Sequence, residues 1–283
     1  MWGAILTEAP HTRLFTWDPA EFWALLRSCD RDDGVQLALR YLPSRGRILE
    51  AGAGSGRVVR YLHDRGYEIT GYELNREAVE QVNESQPDLD VRVGDISALP
   101  VPDGYYAGLL SFGLVEHFVA GPEAALHEHF RVLAPGGVAI ITVPSYNELR
   151  RIKLAASWLV WPLRPRQNSV LRCLFGRARP ERRRRNRDGA TGFGYHVYPQ
   201  QGEFFEYRLR PKEFEAAVVA AGFTILRSKP ISHMDGLHIE FGSRLVAFRE
   251  WRFYPTPTAI VMDRVLRQVP YFHNHMHAIV ATK

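Results

Sequence analysis

The chain has 283 residues, of which 46% are hydrophobic and 24% charged, a length that suits one large globular domain or a domain with an insertion. Its two cysteines, Cys29 and Cys173, exclude a disulfide framework and favour a reducing, cytoplasmic location. No run of about 18 apolar residues occurs, and an acid appears at Glu8, so neither a membrane-spanning helix nor a signal peptide is expected.

Two helices are predicted before the first strand. Asp18 and Pro19 have the order of an N-cap followed by proline at the first helical position. A second helical pattern over residues 35–42 ends at Pro43. We therefore expect residues 1–44 to form a helical cap.

A strand, a glycine turn and a helix are predicted over residues 47–62. Gly52, Gly54 and Gly56 alternate through the turn, and apolar residues with helical spacing follow it. Glycines let the backbone approach a ligand, and unpaired N–H groups at the start of the helix face that ligand. The pattern predicts a site for a nucleotide-like ligand.

Acidic residues end the first strands of this pattern. Glu50 ends the first, and Glu73 ends a strand over residues 67–73, at the spacing from the glycine turn that lets an acid reach ribose hydroxyls. Asp95 follows a third strand over residues 89–94. Three acids would repel a pyrophosphate, so they favour a cationic ligand that lacks phosphate.

Strand and helix patterns go on alternating, which predicts a parallel sheet with helices on both faces. The later elements are a fourth strand over 106–112, a helix over 122–133, a fifth strand over 138–143, a helix over 211–221, and strands over 223–226 and 276–282.

Taken together, these motifs resemble the class I S-adenosylmethionine-dependent methyltransferases. The resemblance covers residues 45–145, through the motifs at 50–56, 73, 94–96, 111–117 and 133–137, and it resumes over 203–229. It implies an α/β fold: a doubly wound, Rossmann-like, mostly parallel seven-stranded sheet with a lid inserted after the fifth strand.

The implied division is an N-terminal cap (1–44), a cofactor-binding domain (45–144 and 203–283) and the inserted lid (145–202). The implied activity is methyl transfer from S-adenosyl-L-methionine to an unidentified small-molecule, amphiphilic acceptor. A dinucleotide-dependent oxidoreductase would have glycine where this chain has Arg57. A methyltransferase-like protein that binds membrane or nucleic acid without turnover is the other alternative.

The resemblance also implies residue roles. Glu50 and the glycine turn face the methionine part of the cofactor, Glu73 the ribose, and Asp95 with Ile96 the adenine. The implied cofactor-binding set is Glu50, Gly52, Gly54, Gly56, Glu73, Leu74, Asp95, Ile96, Ser111 and Phe112.

Candidate catalytic residues follow the fourth strand and the insertion. Because the cofactor supplies the electrophile, the protein must align the reactants and, where needed, remove a proton. Glu116 and His117 lie just beyond the fourth strand, and His196 follows the insertion. His117 is a candidate general base or substrate contact, and the alternative is a scaffold histidine that holds its loop.

Three alternating histidines, His273, His275 and His277, would share one face of a strand. No cysteine or carboxylate lies near them in sequence to complete a metal site, so no metal is expected.

The insertion carries most of the positive charge. Residues 150–187 hold thirteen arginines and lysines against one acid, whereas the net charge of the whole chain is +5. Trp158 and Trp161 lie in an apolar stretch at 154–163 between these basic residues. Three interpretations stay open: a solvated charged loop, a peripheral contact with anionic membrane, and nucleic-acid binding.

Overall fold

The computed structural model describes residues 17–160, 184–185, 194–197 and 204–283. A short 3₁₀ helix (Pro19–Glu21) precedes α1 (Phe22–Ser28), and a second (Cys29–Arg31) leads into α2 (Asp33–Tyr41). Asp18 accepts a hydrogen bond from the Ala20 N–H, as its predicted capping role requires.

The next segment alternates strand and helix, as predicted. Its elements are β1 (Ile48–Ala51), α3 (Arg57–His63), β2 (Ile69–Glu73), α4 (Arg76–Ser85), β3 (Asp90–Val93), β4 (Tyr106–Phe112), a 3₁₀ turn (Val115–His117), α5 (Glu123–Val132) and β5 (Leu133–Pro144).

Helix α6 (Glu148–Val160) follows β5, and three short strands then form an antiparallel sheet of their own: β6 (Arg184–Arg185), β7 (Gly194–Val197) and β8 (Phe204–Tyr207). Strand β8 lies within the predicted cofactor-binding domain but pairs with β7 of the predicted lid. The small sheet therefore crosses the boundary predicted at residue 203.

The C-terminal part completes the main sheet and adds a region that the sequence pattern did not assign. Its elements are α7 (Pro211–Ala220), β9 (Thr224–Ile231), α8 (His233–Phe241), the hairpin β10 (Val246–Arg249) and β11 (Arg252–Pro255), α9 (Pro257–Leu266) and β12 (Met276–Thr282).

The main sheet has seven strands in the order β3-β2-β1-β4-β5-β12-β9. The first five are parallel, and β12 runs antiparallel to both of its neighbours. This arrangement confirms the predicted Rossmann-like, mostly parallel seven-stranded sheet.

Among the described residues, the hydrophobic core around the main sheet has two parts, one on each face, and a third small cluster (Leu237, Val246, Ala259) lies between α8, β10 and α9. Neighbouring residues of a strand point to opposite faces, so Leu109 and Ile141 belong to one cluster while Leu110 and Ile140 belong to the other. Burial of both faces explains why the central strands are continuously apolar.

The parallel register brings the carboxyl ends of the central strands to one edge. Ala51, the last residue of β1, lies beside Tyr72 of β2 and Ser111 of β4. The loops that follow these three strands therefore begin side by side, and they carry the glycine turn, Glu73 and Phe112.

The prediction that His273, His275 and His277 share a strand face is wrong. Strand β12 begins at Met276, so His277 lies on it whereas the other two precede it. His273 pairs with Asp263 of α9, with its Nε2 2.9 Å from a carboxylate oxygen. Among the residues that the structure describes, no group of histidine, cysteine and acidic side chains is arranged to hold a metal ion.

Two basic residues at the start of the predicted lid are paired with an acid of α8. Arg150 and Lys153 of α6 form ion pairs with Glu240 of α8, at 3.5 and 3.0 Å. Trp161 and the side chains of Leu154 and Trp158 lie outside the described residues. No described helix has both the length and the apolar character needed to cross a membrane.

Gly236 lets α8 approach the segment before β12. A Cβ at this position would lie 1.7 Å from the carbonyl oxygen of His273. In an ordinary helix, Gly→Ala stabilises by about 1 kcal/mol. Here we expect Gly236→Ala to lower the free energy of unfolding by about 3 kcal/mol or more, because the backbone must move. Urea unfolding followed by circular dichroism measures the change.

Gly34→Ala in α2 is the matched control. Its added Cβ would meet nothing closer than 3.2 Å, so its free energy of unfolding should change by less than about 1 kcal/mol. A Gly236→Ala protein as stable as the wild type would show that α8 is not held against His273 as described.

Candidate functional site

A cavity of about 640 Å³ opens at the carboxyl edge of the parallel strands. One part of its lining comes from the carboxyl ends of β1 to β4 and the segments that follow them, namely residues 50, 52–55, 57–58, 73–74, 94–96 and 112–114, together with Trp17. The other part, here called the β8 side, consists of His117, Phe118, Glu206, Arg208, Asp235, His275 and Met276. Open α/β sheets bind ligands at this edge.

The glycine turn has the backbone conformation that requires glycine. Gly52, Gly54 and Gly56 have φ angles of 75°, 54° and 73°, in the left-handed region. A Cβ at Gly54 would lie 2.8 Å from the ring of Trp17, which also lines the cavity. The N–H groups of Gly52, Gly54 and Gly56 donate to Tyr72, Glu73 and Ala53, so the turn is fixed internally and offers the cavity a close-lying backbone that carries no side chains at its glycines.

Glu73 fixes this turn to β2. One carboxylate oxygen accepts a hydrogen bond from the Gly54 N–H and the other from the Asn75 N–H, both at 3.0 Å. Burial raises the pKa of Glu73, and these backbone donors oppose the rise. Each carboxylate oxygen accepts more than one hydrogen bond, so Glu73 still has acceptor capacity toward the cavity it lines.

Glu50 is a buried carboxyl whose charge is not fully compensated. It is 4% exposed, and its Oε2 atom has no hydrogen-bond partner among the described residues. Burial raises its pKa to about 8, although Arg57 and the Val59 N–H act in the opposite direction. Because Glu50 lines the cavity, a cationic ligand group would supply the missing partner.

Arg57 joins the N-terminal helices to the glycine turn. Its guanidinium forms a 2.8 Å ion pair with Asp32, the N-cap of α2, and donates to Ser28 at the end of α1. It also lies 3.3 Å from the sulfur of Cys29, whose pKa burial raises to about 11. Cys29 is therefore an unreactive thiol. Arg57, whose presence disfavours a dinucleotide-binding turn, has a structural role.

The structure brings most of the predicted cofactor-binding residues to the cavity. Glu50, Gly52, Gly54, Glu73, Leu74, Asp95, Ile96 and Phe112 all line it. Asp95 is exposed, and its Oδ1 accepts hydrogen bonds from the backbone N–H and the hydroxyl of Ser97. These bonds fix the orientation of the Asp95 carboxylate.

Three predicted residues lie outside the lining of this cavity. Gly56 precedes α3 and its missing Cβ leaves room for Val82 of α4. Ser111 is fully buried within β4, and Glu116 is 1% exposed behind the loop that follows β4. None of these three residues lines the cavity.

The two candidates after β4 have different environments. Burial, together with the nearby Glu206, raises the pKa of Glu116 well above its ordinary range, which favours its uncharged form. His117 lines the cavity, with its Nε2 3.8 Å from a carboxyl oxygen of Glu116. His196 lies on β7 opposite Glu206 of β8, and its side chain is outside the described residues.

Sequence reasoning predicted His117 at the site but missed the other polar groups of the β8 side. Arg208 and Glu206 form a 2.9 Å ion pair in which the arginine Nε donates, and both are nearly fully buried. Asp235 of α8 and His275 lie 3.7 Å apart at the same cavity. The sequence signal for this pair was an acid at 206 and an arginine at 208 between aromatic and apolar neighbours. Residues two apart on an extended segment share a face, so these two charges could have been expected to pair.

Comparison with known proteins finds similarity in the part of the chain that runs from β1 to β5. Residues 49–141 match the family model described as a methyltransferase domain. A probable S-adenosylmethionine-dependent methyltransferase of Mycolicibacterium smegmatis is 32% identical over 98 residues, which are 35% of this chain and 38% of that protein. A malonyl-[acyl-carrier protein] O-methyltransferase of Salmonella typhimurium is 32% identical over 124 residues, 44% of this chain and 48% of that protein. The matches thus span less than half of either relative.

The fold extends the likeness over most of the chain. A crystal structure of a SAM-dependent methyltransferase from Archaeoglobus fulgidus superposes with a TM-score of 0.54 at 14% identity, and covers 92% of this chain and 94% of that one. S-adenosyl-L-methionine is the cofactor that this family and this fold imply. Residues 49–141 thus match a methyltransferase domain, and the seven-stranded architecture is shared with a SAM-dependent methyltransferase of known structure.

Proposed function

We propose that this protein transfers a methyl group from S-adenosyl-L-methionine to a small-molecule acceptor that binds on the β8 side of the cavity. The observation that carries the proposal is the glycine turn tied to Glu73 beside a buried, incompletely paired Glu50. The ligand implied by this arrangement has a positive charge and hydroxyl groups but no phosphate.

The residues present fit S-adenosylmethionine. Its ammonium and sulfonium groups are cations, which suits Glu50, and its ribose hydroxyls suit the remaining acceptor capacity of Glu73. We propose that Glu50 and the glycine turn hold the methionine part, that Glu73 holds the ribose, and that Asp95 and Ile96 flank the adenine. Leu74 and Phe112 would pack against the bound cofactor. When bound, the cofactor supplies an electrophilic methyl group.

The protein then needs to orient the acceptor, exclude water and remove a proton where the acceptor carries one. His117 is the candidate base, because it lines the cavity whereas Glu116 is held in its uncharged form. We propose that Glu116 supports His117 through the short loop after β4, with Ser111 and Gly56 supporting the same edge. His196 is a further candidate from β7, opposite Glu206.

The acceptor is open, since the names of the relatives point to several chemistries. They include malonyl-[acyl-carrier protein] O-methyltransferases, a demethylmenaquinone methyltransferase and a trans-aconitate 2-methyltransferase. One relative carries the name of an S-adenosyl-L-methionine-dependent Diels-Alderase. Cofactor binding and methyl transfer therefore need separate measurements. The oxidoreductase alternative has no support from the matched family or fold.

The glycine turn gives the first test. Gly54→Val places a branched side chain at a left-handed position next to Trp17 and the cavity, so we expect S-adenosylhomocysteine binding to fall at least about a hundredfold. Calorimetry measures binding, and formation of S-adenosylhomocysteine from S-adenosylmethionine with candidate acceptors measures turnover.

Gly66→Val is the matched control for this substitution. Gly66 also has a positive φ angle, 84°, but its added side chain would meet open space. The control should share the backbone strain and retain cofactor binding. If both valine variants bind as the wild type does, the glycine turn does not hold the cofactor.

Glu50 gives a pH dependence. With a pKa of about 8 in the free protein, Glu50 is mostly protonated at pH 6 and increasingly ionised as the pH rises. A cationic ligand favours the ionised form, so binding releases a proton. Affinity for S-adenosylhomocysteine should therefore increase from pH 6 to 7.5, by up to about tenfold per unit. The range stops at 7.5 because an α-amino group itself titrates near about 8.

Calorimetry in two buffers of different ionisation enthalpy reports both the affinity and the released proton. Glu50→Gln, which cannot ionise, should bind with a flat pH profile over this range. A wild-type affinity independent of pH, or the same slope in Glu50→Gln, would remove Glu50 from the cofactor site.

A peripheral contact with anionic membrane is a separate proposal, and it rests on the sequence of the basic segment with its two tryptophans. Since Arg150 and Lys153 are paired with Glu240, the candidate contacts are the arginines at 182–185. Each basic residue near an anionic surface contributes about 1 kcal/mol, screened by salt. The protein should sediment with phosphatidylserine vesicles at low salt, and a variant with glutamine at these four positions should not.

Neutral phosphatidylcholine vesicles and competitor RNA are the controls for sedimentation. Release from the anionic vesicles by RNA would favour the nucleic-acid interpretation of the same segment. Equal sedimentation of the two proteins would exclude these arginines from any membrane contact.

A further inference from the structure

Arg208 is a buried cation with unused hydrogen-bonding capacity. It follows β8, lines the cavity and is 9% exposed. Its Nη1 atom is buried and has no hydrogen-bond partner among the described residues. A buried donor without a partner is costly, and a buried charged donor more so. The folded protein retains this cost at the wall of the cavity at the carboxyl edge of the sheet, which indicates a ligand that supplies the partner.

Glu206 determines which part of the guanidinium is free. The Nε of Arg208 donates to a carboxylate oxygen of Glu206 at 2.9 Å, which holds the planar group in place. Its Nη1 atom is then left for a second acceptor. Guanidinium groups bind planar carboxylates through two parallel N–H donors, a geometry that a lysine ammonium does not offer.

The groups around Arg208 favour a monoanion over a more highly charged ligand. Burial, with Arg208 and Arg150 nearby, lowers the pKa of His275 to about 3, so this histidine is neutral. Burial raises the pKa of Asp235 to about 6, leaving it largely ionised at neutral pH. Two acids, Glu206 and Asp235, accompany Arg208 here, and the second cation, Arg150, is paired with Glu240, so a phosphate dianion would meet more repulsion than a carboxylate.

An amine acceptor held by the same acids is the competing interpretation. Glu206, however, already accepts a hydrogen bond from Arg208, and among the buried side-chain atoms of the β8 side the one without a partner in the described residues is Nη1 of Arg208. The unpartnered atom on the β8 side of the cavity is a donor, and a donor requires an acceptor from the ligand.

We propose that Arg208 binds a carboxylate group of the methyl acceptor, so that the enzyme selects carboxylate-bearing small molecules over neutral or cationic ones. This inference rests on the proposed function, since it names the substrate class of the same cavity. Arg208 acts as a specificity residue, and the Glu206 carboxylate orients it.

The first experiment uses the wild-type protein saturated with S-adenosylhomocysteine and three probes of similar size: phenylacetate, phenylacetamide and phenethylamine. Ligand-observed NMR titration gives their dissociation constants. Phenylacetate should bind at least about tenfold more tightly than the amide or the amine. Equal binding of the amide or the amine, or no binding of phenylacetate, would overturn the proposal. Phenyl phosphate as a fourth probe should bind more weakly than phenylacetate, and tighter binding would also overturn it.

Arg208→Gln should abolish the preference for phenylacetate, whereas Arg208→Lys should keep part of it because the charge remains without the planar fork. Arg227→Gln, at an exposed arginine of β9, is the matched control and should bind phenylacetate as the wild type does. An Arg208→Gln protein that retains the preference would contradict the assignment.

Two measurements separate this inference from the proposed function and from misfolding. If the wild type does not bind S-adenosylhomocysteine, the cofactor site itself is wrong; if it binds the cofactor product but not phenylacetate, only the Arg208 assignment fails. Arg208→Gln leaves the buried charge of Glu206 unpaired, which can destabilise the fold. The double variant Arg208→Gln/Glu206→Gln removes both charges and serves as a second test. It too should lack the preference, and thermal unfolding checks its fold. The wild-type comparison of probes stands whatever the variants do.

Discussion

The hydrogen bond from the Gly54 N–H to the Glu73 carboxylate joins the two strands on which the cavity is built. Parallel pairing brings the ends of β1 and β2 to the same edge, where the Gly52 and Ala53 N–H groups of the glycine turn donate to the Tyr72 carbonyl. The carboxylate of Glu73 holds that turn, and its other oxygen holds the start of α4 through Asn75. The rest of the cavity, from Trp17 to Phe112, is arranged around this fixed turn.

Charge is distributed unequally between the two parts of the cavity. On the side of the glycine turn, Glu50 is a buried carboxyl whose Oε2 has no partner among the described residues and whose pKa is raised, so a cationic ligand group would stabilise its charged form. On the β8 side, Arg208 is a cation with an unpartnered donor, and Glu206 satisfies only part of it. Because unpaired groups of opposite sign line one cavity, the physical expectation is two ligands, or two ligand groups, of opposite charge. A cationic methyl donor and an anionic acceptor meet that expectation.

Much of the fold and of one half of the site could be predicted from local sequence patterns. The glycine turn, Glu50 and Glu73 lie next to one another in short motifs, so their proximity follows from strand pairing between neighbours. His117 was predicted from its place after the fourth strand. The cavity positions of Arg208, Asp235 and His275 were missed because they come from distant segments: Arg208 follows β8, Asp235 lies on α8 and His275 precedes β12. The histidine prediction was wrong for a related reason, since strand β12 starts at Met276, after two of the three histidines.

The sequence by itself determined the class of fold, because the alternation of strands and helices and the spacing of Gly52, Gly54 and Glu73 are local properties of the chain. It also determined that the cofactor side would be acidic. Only the tertiary structure decided which acids keep an unpaired oxygen, which basic residues are neutralised and which cation remains available. Arg150, Lys153 and Arg208 look alike in the sequence, yet Glu240 pairs with the first two while the Nη1 of Arg208 stays without a partner among the described residues. The physical reason is that pairing and burial depend on segments brought together by folding, which no local pattern encodes.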